Sequence, residues 1–428
     1  MQYFNTNRKS PPVSFREAVL NGQPPDKGLY FPAQVPQFDY HKLLGKSRAE
    51  TAYEVIRPFV GGTIADQALF QICEETVNFE FPLVKITDQI YALELFHGAT
   101  LAFKDVGARF MSRCLQYFSQ EKNEKTIVIV ATSGDTGGAV AAGFLGVENV
   151  EVVILYPSCK VSNVQELQLT TLGQNITALE IAGTFDDCQL LAKTALADEE
   201  LKRQVFITSA NSINIARWLP QQFYYLYALQ QWTEKTAPVV SVPSGNFGNI
   251  CAGLLAQQSG LPVKHFIAAT NANDIVPLFF EGGVMQTKAS VATLSNAMDV
   301  AVPSNFVRIL ELFGGSLEKI RSQMSAVSVN DEMTMRTMRQ IYQKYNYILD
   351  PHGAVGFYAL EQHLHLNQND KGFFLATAHP VKFDSVKEIL GTFGAMPSAL
   401  NELFSRSQQS IKLNADYQDL KKFLSSKI

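Results

Sequence analysis

The sequence predicts an α/β fold in which parallel-type sheets flanked by helices are divided between two subdomains, behind a mainly helical N-terminal lobe. Three observations carry that expectation. From about residue 81 onward, short β-branched runs alternate with helical stretches. Residues 1–80 instead show helical apolar spacings broken by Pro and Gly. At 428 residues, the chain also exceeds what one hydrophobic core can organise.

In the lobe, "SFREAVL", "DYHKLLGKSRAETAYEVIRPFV" and "ADQALFQICEETVNF" repeat apolar residues at the 3.6-residue period of short amphipathic helices. The region 81–428 follows as the larger unit, with a mobile subdomain expected at about 95–215. "VGARFMSRCLQYF" has the apolar pattern of a helix. "KTIVIVAT" and "VEVVILYP" have the β-branched content of buried strands, and the small-residue stretch "AVAAGFLG" between them suits a helix. "FDDCQLLAKTALADEELKRQ" and "IARWLPQQFYYLYALQQW" predict the next two helices. "APVVSVP", "KHFIAATN" and "GFFLATA" predict further strands, and "ICAGLLAQQ" a helix after the first of them. There is no internal repeat, low-complexity tract or long linker.

Composition narrows the function classes. With 36 basic and 40 acidic residues mixed along the chain, the net charge of -4 provides no long-range field for nucleic acid or an anionic membrane. No apolar run reaches membrane-spanning length, and "MQYFNTNRKSPPVSF" has no basic segment leading into an apolar one, so a cytoplasmic protein is expected. The five cysteines are scattered, odd in number and without a CxxC, which fits a reducing compartment and small core residues. His363 and His365 lack partner ligands, and no metal site is expected.

The chemistry concentrates in a few stretches. In "HGATLAFKD", Lys104 ends a run of small and apolar residues and precedes a helical pattern, at a loop-to-helix junction. A desolvated amine has a lowered pKa and attacks carbonyls, the logic of Schiff-base lysines. "SGNFGN", residues 244–249, stands between a strand and a helix, where glycines let backbone N–H groups converge and the helix N-terminus faces an anion. "TSGDTGG", residues 132–138, is a second such loop without a P-loop lysine, suited to a carboxylate. Lysine, phosphate cradle and carboxylate loop together point to a pyridoxal-phosphate enzyme acting on an amino acid.

"HGATLAFKD", "ATSGDTGGAV", "SANSINIAR", "VPSGNFGN" and "ATAHPVKF" occur in an order and spacing that resemble the threonine synthase family over nearly the whole chain. The resemblance implies the pyridoxal-phosphate fold type II and conversion of O-phospho-L-homoserine and water into L-threonine and phosphate, with 81–428 as the catalytic region. It implies that Lys104 joins the cofactor aldehyde, that Gly245, Asn246, Phe247, Gly248 and Asn249 hold its phosphate, and that Asp135 lies near its hydroxyl. Thr377 would meet the pyridine nitrogen. Ser133 and Thr136 would receive the substrate carboxylate, and Asn211, Ser212, Asn214 and Arg217 the substrate phosphate. His97, His352 and His379 are weaker candidates, since an isolated histidine is more often structural, and Lys382 and Asp384 either line the pocket or face solvent. A related phospholyase or dehydratase, and a silent cofactor-binding protein, are the competing readings. Oligomeric state stays open.

Overall fold

The computed structural model describes residues 1–119, 125–286 and 288–427. Two open sheets carry the chain. The larger has six strands in the order Met324–Ser328, His265–Thr270, Val239–Pro243, Gly372–Ala376, Ile90–Glu94 and Leu83–Lys85, parallel except for the last pair. The smaller runs Ile411–Asn414, Ile176–Ala182, Val150–Pro157, Thr126–Ala131 and Phe206–Ser209, parallel throughout. Helices cover both faces of such sheets, so central strands lose the alternation of a half-exposed strand. Thr126–Ala131 and Val239–Pro243 are accordingly buried at every residue.

The N-terminal lobe has the expected helices at Phe15–Asn21, Arg48–Val60 and Asp66–Thr76. Capping boxes start the first two, through Ser14 with Glu17 and Ser47 with Glu50. The lobe also holds a three-stranded antiparallel sheet, Val13–Ser14, Gln2–Asn5 and Tyr30–Pro32. These strands are two to four residues long, too short to show a period in sequence.

Two expected helices are broken. The segment 185–204 forms Phe185–Ala197 and Glu199–Gln204, because the Asp198 carboxylate accepts the N–H groups of Glu200 and Leu201 and caps the second helix. The segment 215–232 forms Ile215–Trp218, a 3-10 turn at Leu219–Gln221, and Gln222–Gln231; Pro220 has no N–H to continue the first helix. All five cysteines are free, but Cys159 is exposed rather than a core residue.

One buried cluster joins the lobe to both sheets, running from Phe15 and Phe59 through Val128 and Ile154 to Val240 and Leu375. Within it lies a fully buried Arg308. Its Nε donates to the Tyr30 carbonyl at 3.1 Å, Nη1 to Asn305 at 2.6 Å and Nη2 to the Ile213 carbonyl at 2.7 Å, and its guanidinium lies 4.4 Å from the Trp218 ring centre. The segments 132–138, 210–214, 244–249 and 377–382 all follow carboxyl ends of parallel strands, where open α/β sheets bind ligands.

Asn214 links the lobe to this end of the sheets. Its side chain caps Ile215–Trp218 by accepting the Ala216 N–H at 3.0 Å, and it donates to the Val19 carbonyl at 2.9 Å. Asn214→Ala is expected to lower unfolding stability by about 1–3 kcal/mol, read as a reduced urea midpoint.

Candidate active site

Lys104 opens the helix Lys104–Ser119. The preceding loop turns at Leu101, whose φ is 58° and whose N–H donates to the Gly98 carbonyl at 3.1 Å. It is then fastened to the end of strand Gly372–Ala376: the Phe103 N–H donates to the Thr377 carbonyl at 2.8 Å, and the His379 N–H to the Leu101 carbonyl at 3.0 Å. Tyr224 donates its hydroxyl hydrogen to the Phe103 carbonyl. This short bridge puts Lys104 and Thr377 on one wall. Burial of the amine lowers the Lys104 pKa to about 8, with Asp135 opposing the change and the Lys382 and Arg217 cations adding to it.

Asp135 begins the helix Asp135–Phe144 and is buried. Its Oδ1 lies 2.8 Å from Lys382 Nζ and accepts Gln165 Nε2 at 2.9 Å. Burial works to raise its pKa, but the Lys382 and Lys104 charges prevail and hold it well below the usual carboxylate range. Lys382 is itself fully buried and donates to the Thr100 carbonyl at 2.7 Å, whereas Asp384 is exposed.

The loop 244–249 feeds the helix Gly248–Gln258. Phe247 has φ 59°, which rotates successive N–H groups toward one side. Among the described residues, no acceptor takes the N–H groups of Gly245, Asn246, Phe247, Gly248 or Asn249. The buried Asn249 Nδ2 is also without a partner, while its Oδ1 accepts the Tyr225 hydroxyl at 2.7 Å. Five backbone donors and one side-chain donor are therefore left without acceptors, among the described residues, in a loop that lines one cleft.

In the loop 132–138, Thr132 Oγ1 accepts the N–H groups of Gly134 and Gly137 at 3.0 and 2.9 Å, which stiffens the turn and leaves the Ser133, Asp135 and Thr136 N–H groups without acceptors among the described residues. Arg217 is buried; its Nη1 donates to the Ala210 carbonyl at 2.5 Å, and its Nε has no partner among the described residues. Burial lowers its pKa to about 10, Tyr224 and Asp105 opposing. No carboxylate pairs with it among the described residues.

One cleft gathers Lys104, Asp135, Thr136, Ser212, Arg217, residues 245–249 and Thr377. Ser133, Asn211 and Asn214 are not on its wall. Asn211 joins adjacent strand ends by donating to the Ala131 carbonyl at 3.2 Å, and Asn214 is the cap described above. His97 pairs with Glu94 at 2.8 Å, and His379 accepts the Val381 N–H. His352, in contrast, lines the cleft. Its Nε2 accepts the Ala297 N–H at 3.2 Å, so Nδ1 carries the proton and donates to Asp350 at 2.7 Å. Gln221, Ala297 and Met298 also line it without any sequence signal, since each lies in an ordinary polar or apolar context.

A family described as pyridoxal-phosphate dependent enzyme matches residues 80–377, threonine synthase N terminus matches 2–77, and threonine synthase, C-terminal, matches 353–424. The chain is 44% identical to threonine synthase of Serratia marcescens over 99% of both chains. It is similar to the crystal structure of threonine synthase from Escherichia coli, with a TM-score of 0.92 and 43% identity over 100% of both chains. The PLP-bound threonine synthase structure from Brucella melitensis gives a TM-score of 0.93 at 35% identity, covering 100% of this chain and 99% of that one.

Two outcomes follow from the geometry. A Cβ at Gly245 would lie 2.7 Å from Met298 Cα and 3.0 Å from the Ala297 carbonyl oxygen. Gly245→Val must therefore displace the cradle, and equilibrium titration is expected to show pyridoxal phosphate binding at least about tenfold more weakly, roughly 1.4 kcal/mol. For the cofactor-free chain, only the neutral Lys104 amine reacts with electrophiles. Its labelling rate should fall about tenfold per pH unit below pH 8 and level off above it, as mass spectrometry of the Lys104 peptide can measure.

Proposed function

The chain belongs to the threonine synthase family, and from that premise we propose that its substrate is O-phospho-L-homoserine, which it converts with water into L-threonine and phosphate. It is a pyridoxal-phosphate-dependent lyase. The cleft residues fit that cofactor: a dianionic phosphate suits the unpartnered N–H groups of 245–249 and the orphaned Asn249 Nδ2, and an aldehyde suits an enclosed amine of lowered pKa. Lys104, Asn249 and their neighbours in the loop would hold it, with the Thr377 hydroxyl at its ring nitrogen and Asp135 near its hydroxyl. When bound, the group supplies an electron sink for charge developing on the substrate carbons.

The remaining work falls to side chains. Lys104 Nζ takes protons from the substrate Cα and Cβ and delivers protons to Cγ and finally to Cα, for which an amine poised near neutrality is well matched. Arg217 binds the substrate phosphate with Ser212 beside it; a buried guanidinium whose Nε has no partner supports that role. By staying bound to Arg217, the released phosphate remains next to the carbon that water attacks. Thr136 and the free amides of Asp135 and Thr136 orient the substrate carboxylate, while Ser133 stands behind them in the same loop. Asn211 and Asn214 act by holding the segment 210–217 rather than by contact.

We further propose that a unit spanning about 95–215 moves to enclose the substrate. Its support is that the cleft lies between the two sheets; Ile411–Asn414 extends that unit by pairing at the edge of the smaller sheet. A cytoplasmic setting is supported by five free cysteines and by the finding that no helix among the described residues is long and apolar enough to cross a membrane.

The observation that carries the reading is the enclosure of one amine and one unpaired guanidinium beside a cradle of free amides. Incubated with O-phosphohomoserine, the purified holoenzyme is expected to release threonine and phosphate in equal amounts; a ketoacid as main product would overturn the assignment. Lys104→Ala should lower turnover by at least about a thousandfold while the phosphate cradle stays intact.

A further inference from the structure

Lys382 is fully buried, yet the sequence motifs leave it without a task. It ends the turn Pro380–Lys382, just beyond the strand that carries Thr377. The Ser162 hydroxyl donates to its carbonyl at 2.7 Å, which fixes its backbone against the smaller sheet's helices. Its Nζ donates to the Thr100 carbonyl at 2.7 Å and lies 2.8 Å from Asp135 Oδ1. Gln165 holds the same carboxylate oxygen at 2.9 Å, and Gln168 donates to the same Thr100 carbonyl at 3.1 Å. The lysine is thus held in place from both sheets.

Stability alone gives no reason for a charged pair here. An apolar pair of equal volume is often as stable as a buried ion pair, or more so. What the charges do change is the field at the nearest titratable group. Both Lys104 and Lys382 draw on the single carboxylate of Asp135.

We propose that Lys382 is a positioning residue for the reaction: by engaging Asp135 it withholds that carboxylate from Lys104 and keeps the Lys104 amine in its proton-accepting state. The inference rests on the reading of Lys104 as the proton-transferring amine. The other groups around Lys104 are consistent with it. Arg217, from Ile215–Trp218, adds a second cation. His352, from Pro351–Leu366, presents an acceptor nitrogen already taken by the Ala297 N–H. Asp105, next along the Lys104 helix, turns its carboxylate to the Thr100 N–H and hydroxyl at 2.9 and 2.5 Å. Tyr224 is neutral, its hydroxyl pushed up by burial. Asp135 is the carboxylate left to hold a proton on Lys104, and Lys382 occupies it.

The test reads the proton affinity of Lys104 in the cofactor-free full chain, by the pH dependence of its labelling with an amine-reactive anhydride followed by mass spectrometry. Lys382→Met should raise the labelling midpoint by about one pH unit or more, since Asp135 is then left to Lys104 alone. Lys382→Arg should bring it back. An unchanged midpoint in Lys382→Met would overturn the proposal. Should that variant not fold, Lys382→Gln, which also removes the charge but keeps a polar end for the Thr100 carbonyl, must raise the midpoint in the same way, and an unchanged or lowered one overturns the proposal equally. Borohydride fixation of pyridoxal phosphate in the unsubstituted protein tests the underlying reading separately. Cofactor found on another peptide would refute the role of Lys104 without altering the midpoints.

Discussion

The structure is organised around an excess of positive charge that it keeps out of water. Lys104 and Arg217 line the cleft with Lys382 behind them, and the Asp135 carboxylate, held well below the usual carboxylate range, stands among them. Asp105 is close by, but burial raises its pKa and Thr100 occupies both its oxygens. Removing a cation from water costs several kcal/mol unless an anion or a set of acceptors compensates it. Lys382 has that compensation within the chain. Arg217 does not, and Lys104 responds with a lowered pKa. The free amides at 245–249 add further positive potential without adding net charge. Such a cleft favours anionic ligands, which suits a cofactor that carries a phosphate and the phosphorylated substrate proposed above.

Much of the surrounding architecture keeps these charges where they are. The bridge between residues 102 and 378 joins the lysine loop to the larger sheet, and Lys382 joins that sheet to the helices of the smaller one. Gly107 lets the Lys104 helix lie against the arginine segment, since a Cβ there would fall 2.6 Å from the Arg217 carbonyl oxygen. Arg308 works further back: through Asn305, whose N–H donates to the Asn246 carbonyl at 3.1 Å, it connects the loop 244–249 to Ile213 and to Tyr30 of the lobe. The lobe therefore supports the cleft although it supplies no group to it.

Legibility in the sequence followed the length over which each feature is encoded. Thr126–Ala131 and Val239–Pro243 announce themselves because a doubly covered strand is buried along its whole length and therefore mostly apolar, without alternation. The lobe's two- to four-residue strands, and Ile411–Asn414 with its largely exposed residues, have no such run and were invisible. The helix breaks at Asp198 and Pro220 had local causes that a reading of apolar period alone passes over. The resemblance assigns Asn211 and Asn214 to the substrate phosphate, whereas the bonds that their amides make, to the Ala131 and Val19 carbonyls of other segments, have no local sequence signal.

By itself, the sequence determined the alternating architecture, the two glycine loops with their following helices, and the lysine at a loop-to-helix junction. Each is a matter of neighbouring residues, and backbone conformation responds first to neighbours. Only the tertiary structure decided that Lys382 meets Asp135, that His352 carries its proton on Nδ1, that Arg217 is enclosed without a carboxylate, and that Ser133 stays off the wall. Protonation and pairing depend on the dielectric and on the charges within a few ångströms, and those neighbours come from strands and helices far apart along the chain.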